Sequence, residues 1–316
     1  MATFQRRSFP LHILVLPILV VLLLGIVAGP AAAGKTGQLT VFWGRNKDEG
    51  SLREACDTGL YTTVIISFLS VFGHGKYTLD ISGHPLAFMG ADVKHCQQSK
   101  NVTVLLSIGG DGDGYSLPTA SSAWDVADHL WHAYLGGQRR GVFRPFGDAV
   151  LDGVDLYIDH GGSANYDELA RRLAGYNSIS GSDGTKKTKQ AVVLTATVRC
   201  MDGQDTSADV ALATGLFGRI HVRFYNDTMC SFNADERRPF YGSWLGWTDR
   251  YYPKAKLFVG LPAARDAATD GWVDPETLSS RALPLVQDTP GYGGVMLWNR
   301  YFDRRDGYGR RIKLMI

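Results

Sequence analysis

Eight short apolar runs, separated by longer segments with helical spacing, constrain this chain more than any other feature. They are Leu39–Trp43, Thr63–Leu69, Val102–Ile108, Gly153–Ile158, Val192–Thr197, Ile220–Phe224, Leu257–Leu261 and Gly294–Trp298. Most are rich in Val, Ile, Leu and aromatic residues, as strands buried on both faces of a parallel sheet must be. Between them, Ser51 is placed to cap a helix through Ala55 to Leu60. Ser121–Gly136 repeats apolar residues at Ala123, Val126, Leu130 and Tyr134, close to one helical face. Further helices are expected from Asn165 or Tyr166 to Asn177, and over Ser207–Leu216, Trp244–Tyr252 and Asp274–Val286. Strand–helix alternation on this scale predicts an α/β fold, a closed (β/α)8 TIM barrel rather than an open sheet.

The first residues stand outside that pattern. Arg6 and Arg7 precede an apolar run from Leu11 to Val27, and Ala31-Ala32-Ala33 supplies small residues for cleavage. This reads as a secretory signal peptide over residues 1–33, with residues 34–316 forming a single barrel domain. Pro17 interrupts the apolar run and Gly29-Pro30 follows it, which argues against a membrane anchor. Removing residues 1–33 from 316 leaves 283, enough for one barrel. It also removes two arginines and no acids from 33 basic and 31 acidic residues, leaving 31 of each and no net charge. Without a basic excess, nucleic acid is not an expected partner.

All four cysteines, Cys56, Cys96, Cys200 and Cys230, fall in the mature part. In a secreted chain they suggest two disulfides, for which three pairings exist. Cys56–Cys96 with Cys200–Cys230 is preferred, because each pair then joins neighbouring segments. No Cys/His spacing suits a metal, and neither a metal nor a cofactor is expected. Asn101-Val-Thr and Asn226-Asp-Thr are N-glycosylation sequons, expected to be used where exposed. The expected working form is an extracellular, apoplastic monomer.

Asp152-Gly153-Val154-Asp155-Leu156-Tyr157-Ile158-Asp159 carries the chemistry. Side chains of a strand alternate, so Asp155, Tyr157 and Asp159 share one face and Val154, Leu156 and Ile158 the other. A polar row on an apolar strand is costly to bury unless paired or functional. In a barrel this row lies at the C-terminal end of the fourth strand, the face where such barrels place their sites. Trp43, Ser107-Ile108-Gly109-Gly110, Tyr225 and Trp298 end other strands and are expected to converge there. Aromatic rings around a carboxylate-bearing mouth suit the apolar faces of sugar rings, although a single Trp is more often core.

These residues resemble glycoside hydrolase family 18, in its plant class III chitinase branch. That family carries D-x-x-D-x-D-x-E on the fourth strand, S-x-G-G on the third and Trp-Gly after the first. The resemblance implies that the final acid protonates the glycosidic oxygen, while the preceding Asp orients the substrate's own acetamido nucleophile, an exception to the two-carboxylate scheme. Here Tyr157 stands at the orienting position and Asp159 at the acid position, leaving Asp152 and Asp155 as motif positions. A phenol supplies no carboxylate charge near neutrality. The shorter Asp159 sets its carboxyl back by roughly 1.5 Å, and misplacement by about 1 Å can cost on the order of 10²-fold in rate. No intact catalytic set is therefore expected.

Gly37–Asn46, Ser51–Cys56, Tyr115–Pro118, Leu194–Cys200 and Met296–Asp303 are further similar to the cereal xylanase inhibitor proteins, chitinase-like barrels that block microbial endo-1,4-β-xylanases. In that group a basic residue on the loop after the fourth helix enters the cleft of family 11 enzymes, and a face around the seventh helix blocks family 10. The resemblance implies a microbial xylanase as partner, family 11 ahead of family 10, in plant defence. The corresponding loop, Ser178–Gln190, is longer and richer in Ser, Thr and Lys, and offers Lys186, Lys187 and Lys189 as candidates. Arg265–Trp272, before the seventh helix, also departs from the group's pattern. Two other readings stand beside this one: a silent carbohydrate-binding lectin that uses Trp43, Tyr225 and Trp298 as platforms, and a weak chitinase using Asp159.

Overall fold

In the structure, a computed structural model describing residues 1–3, 34–162, 164–178, 191–201 and 208–316, nine strands are seen. They are β1 (Leu39–Trp43), β2 (Thr63–Val71), β3 (Thr78–Leu79), β4 (Thr103–Gly110), β5 (Gly153–Ile158), β6 (Val193–Arg199), β7 (Arg219–Arg223), β8 (Lys256–Pro262) and β9 (Tyr292–Trp298). Eight of them pair in parallel, and β1 pairs with both β2 and β9, which closes the barrel. The short β3 is antiparallel to β2, with Leu69 opposite Leu79. Residues 32–316 form one compact unit.

Helices follow the strands: α1 (Leu52–Asp57), α2 (Leu86–Lys100), α3 (Ala120–Ala133), α4 (Tyr166–Gly175), α5 (Asp209–Leu212) and α6 (Arg238–Tyr251). The Ser51 hydroxyl caps α1 by accepting from the Glu54 amide, and Asp274 caps the segment that begins at Pro275 in the same way through Thr277. That last segment is helical without a break, as expected over Asp274–Val286: α7 (Pro275–Thr277), a π-turn at Leu278–Ala282 and α8 (Leu283–Val286). The helix expected over Ser207–Leu216 is helical only at Asp209–Leu212 among the described residues. α9 (Arg300–Asp306) and α10 (Tyr308–Ile312) end the chain.

Alternation along the strands sorts the core into two shells. Leu39, Val41, Val64, Ile66, Val154, Leu156, Ile220 and Val222 pack outward against the helices. Phe42, Ile65, Phe68, Leu105, Tyr157, Tyr225, Phe258 and Met296 form a second cluster inside the barrel. No described helix is long and apolar enough to cross a membrane, and the apolar run Leu11–Val27 lies outside the described residues.

Candidate functional site

Register places the first polar layer. Ser107, Asp155 and Thr195 are lateral neighbours across β4, β5 and β6, with Arg219 next on β7. Asp155 is fully buried and receives hydrogen bonds from Ser107 Oγ at 2.9 Å and Thr195 Oγ1 at 2.6 Å. Thr197 Oγ1 lies 3.1 Å from each of its carboxylate oxygens. His221 Nδ1 lies 3.5 Å from Oδ1 and 3.2 Å from Thr197 Oγ1. A buried carboxylate needs such a ring of donors, and this one has it. Asp155 is therefore held in place from β4, β6 and β7 inside the barrel.

The second layer is different. Arg223 on β7 gives Nη1–H to Asp159 Oδ2 at 3.0 Å and Nη2–H to Asp159 Oδ1. The same guanidinium donates to the Tyr157 hydroxyl and sits 4.2 Å from that ring's centroid. Arg223 is 5% exposed. Its lateral neighbour on β6, Arg199, brings Nε to 3.6 Å from Asp159 Oδ1 from a half-exposed position. A fork-to-fork contact of this type fixes both partners in one plane. The buried Arg223 is held charged, since Tyr157 and Asp159 more than offset the desolvation that works against it. Burial pushes the Tyr157 phenol up to about 12, with Arg223 opposing and Asp159 adding to the rise. At the acid position there is an ion-paired carboxylate that accepts hydrogen bonds.

Backbone support comes from Tyr115, whose hydroxyl donates to Gly110 O at 2.6 Å and accepts from the amides of Asp159 at 3.1 Å and His160 at 3.2 Å. Gly109 allows the close approach of β4 and β5, because a Cβ there would meet Tyr157 O at 2.0 Å, and its φ is +107°. Above this, Phe42, Phe68, Tyr157 and Trp298 pack ring against ring with centroids 5.1–6.2 Å apart. The Arg45 guanidinium covers Phe68 at 5.4 Å while pairing with Asp80 at 3.2 Å. Aromatic rings occupy the mouth.

The aromatic platform expected from sequence is not assembled. Trp298 does lie at the mouth. Trp43 does not: Phe42 takes the inward position, so strand parity turns Trp43 outward, with Nε1 donating to Gly50 O at 3.0 Å and its ring 4.3 Å from His84. Tyr225 points inward but is 3% exposed, sealed among the barrel aromatics. Asp152 sits at the opposite end of β5 from Asp159, where it accepts from Val104 N at 2.7 Å and Gln97 Nε2 at 3.0 Å. It is a strand-start brace. Arg223, Arg199, His221 and Phe68 were not anticipated. The signal for two of them was present in Arg219-Ile220-His221-Val222-Arg223, whose polar residues alternate as barrel-facing positions do.

Cys56 is bridged to Cys96, tying α1 to α2, and Cys200 to Cys230, tying the end of β6 to the connection between β7 and α6. Among the described residues, the one cluster of potential metal ligands is Cys200, Asp227 and Cys230, and both its sulfurs belong to that disulfide. Asn101 and Asn226 are exposed and adopt left-handed backbone, with φ of 54° and 56°. Asn226 Oδ1 accepts from Thr269 N at 2.8 Å and Thr269 Oγ1 at 3.0 Å. Lys186, Lys187 and Lys189 lie outside the described residues.

Comparison with known proteins agrees with this architecture. The profile of Glycosyl hydrolases family 18 matches residues 38–271. Xylanase inhibitor protein 1 of Oryza sativa subsp. japonica is 51% identical over 315 residues, 99% of each chain. Xylanase inhibitor protein 1 of Triticum aestivum is 54% identical over 288 residues, 90% of each chain. The crystal structure of the xylanase and alpha-amylase inhibitor protein XAIP-II from Scadoxus multiflorus superposes with a TM-score of 0.79 at 37% identity, covering 87% of this chain and 97% of that one. With its closed parallel barrel and the Asp152–Asp159 strand, the chain belongs to glycosyl hydrolases family 18, in the chitinase-like branch that includes the cereal xylanase inhibitor proteins.

Proposed function

We propose that this chain is a secreted protein inhibitor of microbial endo-1,4-β-xylanases, built on a catalytically silent chitinase-like barrel and acting in plant defence. The observation that carries the silent barrel is the Arg223–Asp159 pair, with Tyr157 beside it. A guanidinium holds the carboxylate at the acid position and a phenol stands at the orienting position, in a chain whose relatives of 51% and 54% identity are named as xylanase inhibitors. Secretion is supported by the leader-like residues 1–33, the two disulfides and the exposed Asn101 and Asn226 sequons.

Inhibition then belongs to the outside of the barrel. Lys186, Lys187 and Lys189 are the candidates to enter a family 11 cleft, where two catalytic carboxylates receive a cation in a desolvated site. Family 11 enzymes are accordingly the preferred targets over family 10. The test is a panel of both xylanase families at low and high salt, run beside a chitin-oligomer assay. Inhibition of at least one family 11 enzyme, weakened by salt, with no product from chitin oligomers, is expected. Absence of inhibition across the panel overturns the inhibitor reading.

A further inference from the structure

Of the seven tryptophans, Trp124 alone is exposed, at 48%, and it stands on the side of the barrel, not at its mouth. It belongs to α3, and its indole Nε1–H donates to Glu168 Oε2 of α4 at 3.0 Å. That bond anchors the edge of the ring and leaves its face to a groove of about 400 Å³. Trp124, Glu168, Arg171, Arg172, Gly175 and Tyr176 line it. The far wall is equally fixed. Tyr176 stacks on Trp131 with centroids 4.4 Å apart and 3° between planes, and its hydroxyl donates to Asp128. Arg172 gives Nε–H to Asp128 Oδ1 at 3.0 Å and lies 5.7 Å from the Tyr176 centroid. Arg171 gives Nη2–H to Asp167 Oδ2 at 3.0 Å.

We propose that this groove between α3 and α4 binds a β-linked pyranose oligosaccharide, with Trp124 as the stacking platform. The chemistry required is a flat apolar face flanked by planar donors and acceptors, because a pyranose presents C–H groups to one side and hydroxyls around its edge. Trp124 supplies the face, Glu168 the acceptors, and the half-exposed Arg171 and Arg172 the donors. The volume falls within the roughly 300–1,000 Å³ of small-ligand clefts. Both ring walls are held before any ligand arrives, which lowers the ordering cost of binding. The groove stands on helix surfaces and shares no residue with the barrel mouth.

Xylan, cellulose and chitin all offer this face, and the experiment separates them. The secreted chain is run in native gels containing soluble arabinoxylan, hydroxyethylcellulose or glycol chitin. Retardation by at least one polymer is expected, with affinity about tenfold weaker for Trp124→Ala, the loss of one aromatic contact of about 1.4 kcal/mol. Trp124→Phe should fall between the two. A second readout needs no variant: limiting N-bromosuccinimide oxidises Trp124 first, and xylohexaose, cellohexaose or chitohexaose, whichever polymer retards the chain, should protect it in peptide mass maps. No retardation by any polymer, equal retardation of Trp124→Ala, or Trp124 oxidised unprotected at saturating oligosaccharide overturns the proposal. None of these readouts involves a xylanase, so failure here and failure of the inhibitor reading are distinct results.

Discussion

Arg223 reaches across β6 to hold Asp159 by both carboxylate oxygens, and the two side chains are 6% and 10% exposed. Removing one partner of a pair this buried strands the other charge away from water. Arg223→Ala should therefore lower stability by about 3 kcal/mol. Arg199, also facing Asp159 but 55% exposed, gains little from its contact, and Arg199→Ala should cost no more than about 0.5 kcal/mol. Urea unfolding of the two variants separates these cases. Equal losses would mean that the carboxylate is shared evenly and that Arg223 is not its anchor.

On the silent-barrel proposal, the same pair decides whether hydrolysis can be restored. Tyr157→Asp with Asp159→Glu restores the family's residue types, yet leaves Arg223 donating to the acid. We expect that double variant to release no more product from N-acetylchitooligosaccharides than the parent chain. Adding Arg223→Met frees the carboxyl, and should raise release by at least about 100-fold over the double variant, the scale of a misplaced catalytic group. Activity in the double variant alone would show that Arg223 yields to substrate.

Much of this was legible in the chain, for a physical reason. All eight barrel strands fall within two residues of their sequence positions, since buried parallel strands must be apolar over their whole length. α2 was not anticipated. Its buried face, Met89, Asp92, Val93 and Cys96, has helical spacing, but one of the four is a carboxylate and the apolar Leu86 and Phe88 are exposed, so the apolar pattern is blurred, and Pro85 before it offers no side-chain cap. Trp43 was assigned to the mouth because it ends a strand, but parity, not position, decides the face, and Phe42 took the inward place. The Arg223–Asp159 pair is a different kind of miss. The residues are 64 apart in sequence, at the ends of strands separated by a third, and only the parallel order β5-β6-β7 brings them together.

His129 gives the fold a pH-dependent weakness. Its ring stacks on Tyr77 with centroids 3.6 Å apart, and burial lowers its pKa to about 4, with Asp125 opposing. The unfolded chain takes up the proton near pH 6.5, whereas the folded chain refuses it until about 4. The stability His129 contributes is thus complete above pH 6.5 and is lost as pH falls toward 4. After discounting for a partly exposed ring, the loss is roughly 1–2 kcal/mol. His129→Phe keeps the stack and cannot titrate, so its urea midpoint should vary less over that interval. A parallel decline in both chains would assign the slope to other groups.

Each disulfide closes a long loop, 40 residues for Cys56–Cys96 and 30 for Cys200–Cys230. Loop entropy depends only weakly on length, so removing either bridge by paired Cys→Ser substitution should cost about 3–4 kcal/mol, and the two should differ little. A much smaller loss at Cys200–Cys230 would mean that Ser243 Oγ and Trp247 Nε1, which both donate to Cys200 O, hold that segment without the bond.

Arg144 organises the long connection between α3 and β5 through backbone carbonyls. Its Nε–H goes to Gly147 O at 2.8 Å, Nη1 to His132 O at 2.6 Å and Gly137 O at 2.9 Å, and Nη2 to Leu135 O at 3.1 Å and Ala149 O at 2.8 Å. Five carbonyls thus converge on one planar fork, a task that a rigid guanidinium suits and a flexible ammonium does not. Lysine can reach at most three of them, so Arg144→Lys should lose at least two bonds and about 2 kcal/mol. The effect should be local as well as global. Leu151 N donates to Tyr134 O at 3.0 Å and Asp152 N to Val104 O at 2.9 Å, so this connection delivers β5 to its register. Hydrogen exchange should accelerate over residues 134–152 in Arg144→Lys while β8 and β9 stay protected. Unchanged protection there would show that the strand, not Arg144, holds the connection in place.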